Sequence, residues 1–155
     1  AQHVEQARLG ALLWTTHADA TIACFDAKYH FLAWRPFSAI NAGDTDGNAA
    51  TVEDRDWTPF LPTPPHPEYP AAHACAAGAA SEALRLYFGT RQVAYDFASS
   101  ASGTTHHYDD TDALVADITV ARIAGGMHFR SSITDGAELG RNVASWVASH
   151  QFQSR

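Results

Sequence analysis

Residues 70–89 read PAAHACAAGAASEALRLYFG. An Ala-rich run that opens after Pro70 and closes at Gly89 predicts one helix, and its small side chains suit close packing against a second helix. A helical bundle is therefore expected. His73 falls in the first turn, where backbone amides lack helical acceptors and favour an anion. Ala71 and Ala72 are expected to present such N–H donors.

Upstream, the stretch from about Val4 to Trp34 has no proline and a single early glycine. It spaces Leu9, Leu12, Leu13, Thr16, Ala20, Ala23 and Ala27 at helical intervals. That pattern predicts one long helix ended by Pro36, with Lys28 and Arg35 two turns apart on one face. Asn41 to Tyr69 carries Gly43, Gly47 and a proline cluster from Pro59 to Pro67. It reads as an ordered irregular loop held by burial of Trp57, Phe60 and Tyr69. Downstream, Gln92 to Thr105 reads as extended or loop. Helices are expected from about Asp110 to Met127, with Asp109, Asp110 and Asp112 at its start, and from about Thr134 to His150. The fold class is all-α, a single helical domain over residues 1–155 with long irregular connections.

A chain of 155 residues with 46% hydrophobic content supports one core. Seventeen acids against ten Lys and Arg give a net charge of −7. This argues against nucleic acid or an anionic membrane as partner, since either requires a basic face. No run approaches the roughly twenty apolar residues of a membrane span. The amino-terminal AQHVEQARLG reads as an amphipathic helix start rather than a signal peptide. A soluble protein is expected, its compartment left open by the sequence with the extracytoplasmic side favoured. Cys24 and Cys75 sit in helical contexts, where reduced buried thiols are favoured over a disulfide.

Three motifs carry chemistry: Lys28…Arg35-Pro36 with six residues between the cations, Pro70-Ala71-Ala72-His73, and Arg122…His128. A tetrahedral oxyanion offers several acceptor oxygens. Arg meets two with its planar fork, and Lys adds a compact charge. One histidine would attack or coordinate the central atom through a ring nitrogen, and another would move a proton near neutral pH. Each motif by itself also fits a plainer reading, surface salt bridging for the cations and packing or capping for the histidines.

The order K-x6-R-P, P-(S/A)-(G/A)-H, (S/A)-R-x5-H resembles the superfamily shared by vanadium-dependent haloperoxidases and type-2 phosphatidic acid phosphatases. The stretches FDAKYHFLAWRP, LPTPPHPEYPAAHA and ARIAGGMHFR are similar to its bacterial vanadium-haloperoxidase-like branch. The resemblance implies a helical bundle of that type, the carboxy-terminal part of a longer polypeptide. A second chain supplying the amino-terminal part, and an oligomer, are expected with it. It implies vanadate as cofactor, bound to His128 as the vanadium ligand, with phosphate able to occupy the same place. Lys28, Arg35, Ala71, Ala72 and Arg122 would hold the oxyanion, His73 would be the general acid or base, and Phe25 and His66 would border a halide pocket. Gly125-Gly126 would thin the helix wall beside His128. Hydrogen peroxide, a halide (bromide favoured) and an organic acceptor would be the reactants. Two alternatives stay open: a soluble acid phosphatase in which His128 attacks a phosphate ester, and a non-catalytic phosphate-binding or processed domain. The chain departs from the pattern at Ala71-Ala72, where a Ser-Gly is usual, and at Ser132, where the phosphatases carry Asp. Asp135 is then the candidate to orient His128, with a backbone carbonyl as the alternative.

Overall fold

The Ala-rich stretch forms α3 (Ala72–Phe88) and lies along α5 (Arg130–His150) in a computed structural model that describes residues 2–100 and 102–152. The two helices meet over their smallest residues. Gly78 abuts Ala137 and Gly140 abuts Cys75 so closely that a β-carbon on either glycine would overlap the facing carbonyl oxygen. Ala71, Ala74, Ile133 and Ala137 form the buried cluster between them, and Val115, Ile118 and Ile123 pack on it. Gly89 ends α3 in the left-handed region at φ 73, its N–H donating to the Arg85 carbonyl at 2.8 Å.

A long α1 (Gln2–Phe31) covers the other side of this pair. Its buried stripe is Leu12, Thr16, Ala20, Cys24 and Lys28, a run of fourth residues that keeps one narrow face inward. Leu12 packs with Ala83 and Val147 at one end, and Lys28 lies buried at the other. The helix does not reach Trp34. Leu32 turns left-handed at φ 51, and Arg35 is extended ahead of α2 (Pro36–Asn41), as the ring of Pro36 demands of the residue before it. Lys28 and Arg35 therefore do not share a helix face.

The connection from α2 to α3 is irregular apart from a 3-10 turn at Gly43–Thr45, and the Tyr69-Pro70 peptide is cis. Backbone bonds tie it down: Asp54 N to Ile40 O at 3.0 Å, Leu61 N to Gly125 O at 3.2 Å and Glu68 N to Ala33 O at 3.0 Å. Trp57 and Tyr69 are part-buried, but Phe60 is 85% exposed and anchors nothing here. An antiparallel hairpin follows, β1 (Tyr95–Ser99) with β2 (Thr104–Tyr108), in the register Tyr95↔Tyr108 to Ser99↔Thr104. Then comes α4 (Ala113–Ala124). It starts late because the Asp112 N–H is taken by the Asp110 carboxylate at 2.7 Å. It stops before Met127 because Gly126 turns left-handed at φ 73, with Trp57 and Pro59 against it. The Gly125-Gly126 pair thus ends a helix and seats the proline-rich loop. It does not thin a helix wall.

Candidate oxyanion site

His128 sits in the short turn between α4 and α5 and is 4% exposed. Both ring nitrogens are engaged. Nδ1 lies 2.8 Å from Oε1 of Glu68, and Nε2 lies 3.0 Å from Nη1 of Arg35. A guanidinium only donates, so Nε2 accepts, and Nδ1 carries the proton it donates to Glu68. The Glu68 carboxylate therefore fixes the tautomer that leaves the Nε2 lone pair facing the cations. The same Oε1 accepts the Phe129 N–H at 3.0 Å, placing a negative charge at the amino-terminal end of α5 and starting that helix ahead of Thr134. Burial pushes the Glu68 carboxyl up, but the bonds from His128 and Phe129 outweigh it and hold it below the ordinary range. Burial also holds the His128 imidazole below its ordinary range, with Arg35 and Arg122 acting in the same sense and Glu68 against them.

Arg35 spreads its fork over the loop. Nε donates to the His66 carbonyl at 3.1 Å, Nη1 to the Met127 carbonyl at 2.8 Å, and Nη2 to His66 Nδ1 at 3.1 Å. With Nδ1 accepting from Arg35, the Pro67 carbonyl 3.2 Å away receives no proton from it, so the two contacts of His66 are alternatives. The His66 ring lies 5.2 Å from that of Phe25. Lys28, 0% exposed, donates to the carbonyls of Pro67 at 2.8 Å and Glu68 at 3.0 Å. Burial, with Arg35 nearby, pulls its ammonium down to about 8. Arg122, in the last turn of α4, keeps a buried Nε with no hydrogen-bond partner among the described residues. His73 is exposed along one edge. Burial of the remainder of the ring and then the fields of Arg122, His128, His66 and Lys28 hold its imidazole down to about 4.

Lys28, Arg35, His66, Glu68 and His128 are thus joined by direct contacts, and Arg122 and His73 by their fields. Three cations stand against one carboxylate within this cluster. A buried, incompletely paired cation is costly in water-poor surroundings, and an oxyanion would relieve it. The orphaned Arg122 Nε fits such a ligand as a donor to its oxygens, and the Nε2 lone pair of His128 fits it only toward the electrophilic central atom. Ala71 does not join them: its N–H is spent on the Ser132 carbonyl at 3.0 Å and its side chain lies in the α3–α5 core. Ala72 keeps a first-turn amide. Asp135 accepts from the Tyr69 hydroxyl at 2.9 Å, so it does not orient His128; Glu68 does. Glu68 escaped the sequence reading. Its one signal was being the sole acid between Asp56 and Glu82, set beside the prolines of the loop.

The model of the family described as the VCPO second helical-bundle domain matches residues 8–154. The vanadium chloroperoxidase of Curvularia inaequalis is 36% identical over 95 residues, 55% of this chain and 15% of that protein. The crystal structure described as the first bacterial vanadium-dependent iodoperoxidase superposes with a TM-score of 0.76 at 29% identity, over 89% of this chain and 32% of that one. A holo-type bacterial vanadium-dependent chloroperoxidase gives a TM-score of 0.63 at 23% identity, over 84% of this chain and 33% of that one. The chain spans about a third of the length of these solved relatives.

Proposed function

The chain belongs to the family of VCPO second helical-bundle domains, and we propose that it carries the oxyanion site of a vanadate-dependent haloperoxidase that oxidises halide, bromide for preference, with hydrogen peroxide. One observation carries the reading. The buried Nε2 of His128, held as an acceptor by Glu68, faces Arg35 within a cluster that also contains Lys28 and the unpartnered Nε of Arg122.

Lys28, Arg35, Arg122 and the Ala72 amide would hold the anion's oxygens, and His128 Nε2 its central atom. Vanadate bound there would supply a Lewis-acid centre that activates peroxide toward halide without changing oxidation state. His73, neutral at working pH because its imidazole lies near 4, is free to take a proton from incoming peroxide. The tilted pair of His66 and Phe25, rings 5.2 Å apart, borders the same loop and is the proposed halide contact. Fixed cations around the oxygens do the electrostatic part without reorganising. A further polypeptide is proposed to pack on α1, where Trp14, Ile22, Tyr29 and Phe31 stand exposed.

The His128–Glu68 pair also suits a histidine nucleophile, which keeps the phosphatase as the second reading. Vanadate separates them by sign, as cofactor of one and transition-state mimic of the other. Protein freed of phosphate and given vanadate, hydrogen peroxide and bromide is expected to brominate a phenolic dye, with added phosphate competing. Phosphate-ester hydrolysis that vanadate suppresses, with no bromination, would establish the phosphatase. Neither activity, with anion binding retained, would leave a phosphate-binding domain.

A further inference from the structure

Cys24 of α1 and Cys75 of α3 face each other across the core, both 0% exposed, with their sulfurs 2.7 Å apart. The Cys24 thiol also lies 3.7 Å from the Pro70 carbonyl, which fixes its direction beside the cis peptide segment. That sulfur separation is inside van der Waals contact, so the two helices already hold the thiols where little movement is needed to join them. The position is also informative. Cys24 stands one turn before Lys28, and Cys75 two residues after His73, so a bond here would fasten the helix bearing the buried cation to the helix bearing the exposed imidazole.

We propose that Cys24 and Cys75 are an oxidation site that closes to an intramolecular disulfide under peroxide. The Cys24 thiolate attacks one oxygen of hydrogen peroxide, and the O–O bond breaks. This gives a sulfenic acid on Cys24 and a hydroxide that leaves as water after taking up a proton. Cys75 sulfur then attacks the sulfenic sulfur, the S–S bond forms, and the Cys75 proton departs with the second hydroxyl as water. Two thiols lose two electrons in total, and one peroxide gains them. Cys24 is the attacking thiol because Cys75 donates a hydrogen bond to it and Lys28 lies close, both favouring its thiolate over that of Cys75. Closure traps the sulfenic acid before it proceeds to irreversible sulfinic acid, which protects a core position from over-oxidation. The bond joins residues 51 apart in sequence, a long loop whose closure restricts the unfolded chain. The inference rests on the geometry of the pair and not on the proposed halide chemistry.

The test treats fully reduced protein with hydrogen peroxide, quenches it, and unfolds it with an alkylating reagent present. The intact mass is expected to fall by two hydrogen atoms with no alkylation, and trypsin is expected to release the segments 9–28 and 56–85 as one cross-linked species. The oxidised protein is expected to melt about 5 °C or more above the reduced form. A Cys24→Ala, Cys75→Ala double variant is expected to show no peroxide-dependent change in melting. Two alkylated cysteines after peroxide, sulfinic acid on either sulfur, or a disulfide found only between chains would each overturn the proposal.

Discussion

At the scale of single residues, the site turns on Glu68 more than on any of the motif cations. His128, Arg35 and Lys28 stand out as residue types, but which ring nitrogen of His128 is free depends on the carboxylate 2.8 Å from Nδ1. Glu68→Gln keeps the shape and removes the charge. Turnover is expected to fall about 10–100-fold, the usual effect of losing such a partner. The His128 imidazole is expected to titrate lower still, because Glu68 is the group that raises it against burial and the two arginines. Histidine NMR titration beside steady-state kinetics checks both. Wild-type turnover with an unmoved His128 titration would mean that Glu68 does no more than cap α5. The cations and both histidines are legible in the sequence because their types and spacing follow the pattern of the three motifs. Glu68 is not, because a carboxylate in a proline-rich loop reads as solvated until the chain folds over it.

At the scale of elements, the bundle depends on how closely α3 and α5 approach. Gly140 sits over the Cys75 carbonyl, and Gly78 over that of Ala137, so each helix supplies a notch for the other's backbone. Gly140→Ala puts a β-carbon into backbone that has nowhere to shift without opening the interface. Destabilisation of about 1–3 kcal/mol or more is expected, against the modest gain alanine gives a free helix. Thermal melts followed by circular dichroism measure it. Unchanged or raised stability would show that the helices are further apart than described. The Ala-rich pattern announces this contact, whereas apolar spacing that continues through Leu32 predicts a helix to Trp34 and α1 ends at Phe31. The break there comes from Pro36 acting on Arg35 and from the turn that brings the loop back over Lys28.

For the whole molecule, a net charge of −7 surrounds a buried cluster in which Lys28, Arg35 and Arg122 stand against Glu68. His73, held near 4 against an ordinary 6.5, binds a proton in the unfolded chain sooner than in the native one. His66 and His128 are lowered in the same direction. Between about 6.5 and about 4 the unfolded state therefore carries more protons, and stability is expected to fall as pH drops through that window. An anion bound among these groups would offset the repulsion that opposes protonation. At neutral pH, phosphate at a hundred times its dissociation constant is expected to raise the melting midpoint by roughly 5–10 °C. Arg122→Ala is expected to lose most of that rise. A phosphate-independent midpoint across the pH series in the unaltered protein would remove the anion site.

The sequence by itself determined the helical class, the α3 helix between Pro70 and Gly89, the absence of a membrane-length apolar run, and the residue types of the buried cluster of cations and histidines. Propensity, proline and glycine punctuation, and the charge of each side chain are all local properties of the chain. Only the tertiary structure decided how Arg35 reaches His128, since Arg35 leaves the helix of Lys28 and arrives through an extended turn. It also committed the Ala71 amide to Ser132 and the role expected of Asp135 to Glu68. Those outcomes depend on which buried polar groups face one another once the loop closes over the bundle, a pairing of distant residues that spacing along the chain does not encode.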